Sequence, residues 1–267
     1  MNSESSQKTP GHLSLALRAL LDPRYLVAPL AIVGAVFLAP RLRVSDAIAD
    51  LIHFASASAT AIVSLVIAAK RRSPSGSRLA LAVISLVTWV VIALRGKYDA
   101  AAVVAGSSAL VLFAHAIGDW VGEHIEDVGH LFPACVVAGA VDIASVVHPR
   151  GPTHAIVSSA RALALSAISF PVPGTSDYAP AVGIGDLLFM AILFGASRKH
   201  DLSLVRMGLL AAAGIAIAGF ASALLGAPET LTLGRAIWDV FFQERDWPQA
   251  AALAVVLLGL VLVPLRW

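Results

Sequence analysis

The sequence predicts an all-α, polytopic membrane helix bundle of about eight to nine transmembrane helices, and three observations point to it. Hydrophobic residues make up 58% of the 267 and charged residues only 13%, where a soluble domain is about half apolar and about a quarter charged. Mean hydropathy is +0.83. The apolar residues gather into runs near the roughly 20 residues that a helix needs to cross a bilayer, separated by short charged or Pro/Gly-rich breaks.

The same numbers exclude several function classes. A net charge of +2 implies no nucleic-acid partner, and the basic residues sit beside the apolar runs, where they set membrane orientation. The lone Cys135 can form neither an internal disulfide nor a thiolate metal site, and it reads as a small core residue. No cofactor is expected. The polar stretch before the first apolar run is too long for a cleaved signal peptide, so the first span is expected to act as its own insertion signal.

In chain order, residues 1–24 form a polar tail and juxtamembrane segment, 25–118 an N-terminal set of spans, and 119–267 a C-terminal set. The first span covers about 25–40 and ends at Arg41 and Arg43. The second covers about 47–69, with Asp46, Asp50 and His53 in its first turns as helix-start acids and their neighbour, and it closes on Lys70-Arg71-Arg72. The third and fourth cover about 79–94 and 100–117. An acidic segment follows, from His115 through Asp119, Glu123, Glu126 and Asp127 to His130. Its spacing suits either a metal-binding face or a solvated acidic face, and a solvated face is expected because no second helix offers matching ligands.

The fifth span, about 131–147, carries Asp142. Residues 155–170, with Arg161 and several serines, are expected to form an interfacial or cavity-lining helix. Pro171, Pro173, Gly174 and Pro180 then break the chain. The sixth span, about 182–197, opens on Gly183-Ile184-Gly185-Asp186. The seventh covers about 202–225 and the eighth about 249–265, the latter closing on Val263-Pro264-Leu265. Over this division the Lys and Arg residues tip weakly toward a cytoplasmic N-terminus.

Asp142 and Asp186 are the candidate catalytic residues. An ionisable side chain within a span costs a few kcal/mol or more, so its default reading is functional. If neighbouring spans bring the two carboxyls to one depth, they share a proton, because like charges a few Å apart in low dielectric do not both ionise. One then serves as general base toward water and the other as general acid toward a peptide bond. Gly183 and Gly185 would let another backbone approach beside Asp186. The plainer reading makes both aspartates structural, paired to Arg161, Arg206 or backbone donors.

Asp142-Ile143-Ala144-Ser145-Val146, Gly183-Ile184-Gly185-Asp186 with the apolar Leu187-Leu188-Phe189 behind it, and the Gly151-Pro152-Thr153 turn together resemble the intramembrane aspartyl proteases that include presenilin, signal peptide peptidase and their microbial relatives. The resemblance covers about 131–195. It implies a presenilin-like bundle and hydrolysis of transmembrane peptide or protein substrates by an Asp142/Asp186 dyad and water. It further implies substrate contact at Gly183, Ile184 and Gly185, and at Pro264 and Leu265. Where the family commonly has Tyr before the first aspartate, this chain has Val141; where the family has Pro-Ala-Leu, it has Val263-Pro264-Leu265. Such a protein is expected in a membrane, multi-pass, with a bacterial inner membrane the anticipated address. Two rivals stay open: a prepilin-peptidase-type membrane aspartyl protease, and a proton-coupled transporter using the same two aspartates as a relay.

Overall fold

The structure is a computed structural model and describes residues 22–95, 99–131, 156 and 159–225, with backbone alone at 47, 160, 161, 164 and 217–225. It is mostly helical. The chain divides into two units, 1–212 and 213–267. Of the second, the described part is the end of one helix, so the account below concerns the first.

Asp22 starts the fold by capping a 3-10 turn at Pro23–Leu26, its carboxyl accepting the Arg24 N–H at 3.0 Å. Helix α1, Val27–Leu38, follows directly and is apolar on all sides. Pro40 has no N–H to continue it, and a 3-10 turn at Ala39–Arg41 ends the segment. Helix α2 runs Asp46–Ala69, with Asp46 in its first turn and Lys70, Arg71 and Arg72 after its end. Charge of either sign is thus placed where the helix dipole favours it. Helix α3 is Ser75–Arg95. Helix α4 is Ala100–Glu123, capped by the Asp99 carboxyl, which accepts the Ala102 N–H at 2.9 Å. The first turn with α1, and α2, α3 and α4, are each long and apolar enough to cross a bilayer. These four candidate spans among the described residues are compatible with a membrane helix bundle.

Helix α4 lies at the centre, packed against α1, α2, α3 and two later elements, a strand at Ala167–Pro171 and a helix at Ile184–Lys199. Its Val103, Leu110, Val111, Ala114 and Ala116 are buried, whereas Leu79, Val83, Val87 and Leu94 of α3 are exposed. Exposed apolar side chains of this kind suit contact with lipid.

Beyond residue 159 the expected long helix is replaced. A short helix α5, Ala160–Ser166, gives way to strand β1, Ala167–Pro171, paired antiparallel with β2, Tyr178–Gly183. Two prolines explain the change: Pro171 and Pro173 forbid helix on the C-terminal side of this segment. The register sets Ile168 opposite Val182 and Ser169 opposite Pro180, with a bulge between Ile168 and Ser169. Pro180 has no N–H to offer Ser169, and Ser107 of α4 meets that main chain instead. Its hydroxyl donates to the Ser169 carbonyl and accepts the Ser169 N–H, both at 3.0 Å.

Helix α6, Ile184–Lys199, continues from β2, and α7 is Leu204–Leu225. The fifth and eighth expected spans lie outside the described residues.

Candidate functional site

Of the residues singled out in the sequence, Gly183, Ile184, Gly185 and Asp186 fall where β2 becomes α6. Asp142, Pro264 and Leu265 lie outside the described residues. Gly183 is the N-cap, extended at φ −69° and ψ 153°, and Asp186 occupies the first helical turn. Asp186 is exposed. Its Oδ2 lies 3.5 Å from where a Gly183 Cβ would stand, so the carboxyl folds back toward the start of its own helix. That position favours a negative charge through the helix dipole. A Cβ at Gly185 would meet nothing within 4 Å among the described residues.

The depth of Asp186 follows from the packing of α6 on α4. A Cβ on Gly118 would stand 2.4 Å from the Ala191 Cβ, and one on Gly122 would stand 2.7 Å from the Ala196 N, so the two helices touch backbone to backbone and run parallel. Asp186 precedes Ala191 by about 7–8 Å along the axis, which sets it level with about Phe113, near the middle of α4. It also lies about 140° round the helix from Ala191, away from the α4 contact.

The strand that leads to it sits below the end of the bundle. Ser107, which holds β1, lies about 10 Å along α4 from its start. On the other side, His53 Nδ1 of α2 lies 3.3 Å from the Pro171 carbonyl. His53 is buried, so it is a partner of the hairpin and not only a neighbour of helix-start acids. Ile168, Ser169 and Phe170 are fully buried. Non-helical backbone at bilayer depth persists only where it is enclosed by protein or lines a water-filled cavity. The hairpin meets the first condition along β1, while β2 is half-buried and leads directly to the exposed Asp186.

A second group of charges stands at the far end of α4. Helix α4 extends to Glu123, beyond the expected end of the fourth span, and carries Asp119 and Glu123 inward. Asp119 is 1% exposed. Its Oδ1 lies 2.6 Å from Arg198 Nη1, an ion pair poorly angled for a hydrogen bond, and its Oδ2 lies 3.5 Å from Arg78 Nη1. Glu123 accepts from Arg198 Nη2 at 2.7 Å, from Arg72 Nε at 2.9 Å and from Arg78. Arg198 also donates to the Ala69 carbonyl at the end of α2, at 3.2 Å. Asp119 and Glu123 are thus not part of a solvated acidic face, because Arg78 of α3 and Arg198 of α6 cover them. Glu126, Asp127 and His130 of the same stretch are exposed. Among the described residues no group of three or more His, Cys, Asp or Glu is placed to hold a metal ion.

His115, one turn before Asp119, is buried against Tyr25, with ring centroids 5.6 Å apart. The Tyr25 hydroxyl is 2.7 Å from Ser73 Oγ. The signal for this arrangement was present in the sequence. Gly118 and Gly122 flank Asp119 at the spacing of close-packing membrane helices, and Ala191 and Gly195 repeat that spacing on α6. No protein-family model matches the chain, and no solved structure matches it.

Proposed function

We propose that the chain is a multi-pass intramembrane aspartyl protease, of the kind found in a bacterial inner membrane, that hydrolyses peptide bonds of transmembrane substrates. One observation carries the reading. Asp186 is an exposed carboxylate level with the middle of α4, directly after a half-buried strand within the bundle. A carboxylate held at such depth is costly unless it has a use. Among the described residues nothing would lie within 4 Å of a Cβ at Gly185, which is compatible with room there for water and an extended peptide.

In this reading Asp142 is the second member of the dyad. One carboxylate takes a proton from water as its oxygen attacks the peptide carbonyl carbon. The protonated partner donates to the carbonyl oxygen, giving a gem-diol; the first carboxyl then passes its proton to the nitrogen while its partner takes one from a gem-diol hydroxyl, so that the C–N bond breaks to leave an acid and an amine. Water is the only co-reactant, and no cofactor takes part. Gly183, Ile184 and Gly185 are the substrate-contacting residues beside Asp186, with Pro264 and Leu265 as the second contact that the resemblance implies.

The test is cleavage of a transmembrane peptide by purified protein in detergent. Asp186→Asn and Asp142→Asn are each expected to abolish turnover, by at least the 10²–10⁴-fold that a lost general acid or base costs. Cleavage that survives either change removes the dyad. Proton-coupled uptake lost in both variants, with no cleavage by the wild type, selects transport instead.

A further inference from the structure

The interface between α4 and α6 repeats along its own axis. Gly118 and Gly122 on α4 face Ala191, Gly195 and Ala196 on α6, small residues against small residues. Sliding α6 by four residues, about 6 Å, would set Gly195 where Ala191 now meets Gly118, a small residue for a small residue, while Gly122 would meet the end of α6 at Lys199. At Gly118 the packing provides little to choose between the two positions.

The charges at the basic end do provide it. Arg198, on the α4-facing side of α6, reaches Asp119, Glu123 and the Ala69 carbonyl together. Arg78 holds the same two carboxylates from α3. A one-turn slide would carry Arg198 away from these partners and leave the nearly inaccessible Asp119 to Arg78 alone, at 3.5 Å. From this geometry we infer that Arg198, with Asp119 and Glu123, is a positioning device that selects one axial register of α6 and thereby fixes the depth of Asp186. Buried ion pairs add little stability over an apolar filling of the same space, and register selection is their best-attested use. The consequence at Asp186 rests on the protease reading, whereas the register itself does not.

The experiment places spin labels at Leu94→Cys on α3 and Lys199→Cys on α6, both exposed, in full-length Cys135→Ser protein, and reads their separation. These sites lie toward opposite ends of the bundle, so the separation reports axial movement. The wild-type background is expected to give one narrow distance. Arg198→Ala is expected to add a second population displaced by several Å, and Arg198→Lys to restore part of the first. The combined variant Arg78→Met, Asp119→Leu, Glu123→Met, Arg198→Met leaves no buried charge unpaired, and is expected to retain helical content while showing both populations. A single unshifted distance in this neutral variant overturns the proposal.

In the cleavage assay, Arg198→Ala is expected to lower kcat at least tenfold with KM little changed, or to move the scissile bond by about one turn. Unchanged kcat and cleavage position, beside a shifted label distance, would sever the register from Asp186. If the wild type cleaves no transmembrane peptide, the protease reading fails alone, and the label separation still decides the register.

Discussion

Asp22 shows how far a single residue can be followed. Its carboxyl accepts from Arg24 Nε at 3.0 Å and Nη2 at 2.7 Å, while Arg24 Nη1 donates to the Arg71 carbonyl at 2.9 Å and the Ala68 carbonyl at 3.3 Å. These bonds from Arg24 hold the Asp22 carboxyl below its ordinary value. A carboxyl whose folded value is depressed contributes stability above its unfolded value and loses it as pH falls through the folded one. Wild type is therefore expected to exceed Asp22→Asn by about 1 kcal/mol or less near neutrality. The gap should close between about pH 4 and lower values, in thermal unfolding followed in detergent. A gap that widens on acidification would contradict the pairing. The reach of Arg24 to the end of α2 was not legible in the sequence, because that contact depends on how α1 and α2 pack.

At the scale of elements, the sequence marked helices better than it marked what interrupts them. Apolar runs located α1 to α4, α6 and α7 within a few residues, since a lipid-facing helix must be apolar over its length. The hairpin was missed. Ala167 to Pro171 is as apolar as a helix, and its strand state depends on Pro171 and Pro173 and on Ser107 from a distant part of the chain. The acidic side of α4 was misread for a related reason: Asp119 and Glu123 find Arg78 and Arg198 only when three helices assemble. The glycines of that helix allow a sharp contrast. Gly122→Val places side chain against the α6 backbone and is expected to cost about 1–3 kcal/mol or more. Gly106→Ala meets only Ile92 methyl groups at 3.7 Å and is expected to be nearly neutral. Unfolding of both variants in one detergent series checks the pair, and equal losses would mean that the close α4–α6 approach is not required.

At the scale of the molecule, one end is the more basic among the described residues. Arg24, Lys70, Arg71, Arg72, Arg78, Arg198, Lys199 and Arg206 lie at the end that holds Glu123, while Arg41, Arg43, Arg95 and Arg161 belong to the hairpin end. Basic residues favour the cytoplasm, so the end with Glu123 is expected to be cytoplasmic. Single cysteines in the Cys135→Ser background check it: Arg43→Cys should react with an impermeant thiol reagent in intact cells, and Lys70→Cys only after permeabilisation. The opposite pattern would invert the orientation. The helices were legible enough in the sequence to suggest this bias only weakly, since basic residues flank the spans on both sides.

The pairing of Arg78 with Asp119 and Glu123 also bears on biosynthesis. A span offered to the translocon with a central aspartate carries a penalty of about 2.5–3.5 kcal/mol, and α4 carries two acids, Asp119 and Glu123, near its C-terminal end. Helices α3 and α4 are consecutive and antiparallel, so the arginine emerges from the ribosome before the acids it will neutralise. The two can therefore leave the translocon as one charge-compensated hairpin, well before Arg198 has been synthesised.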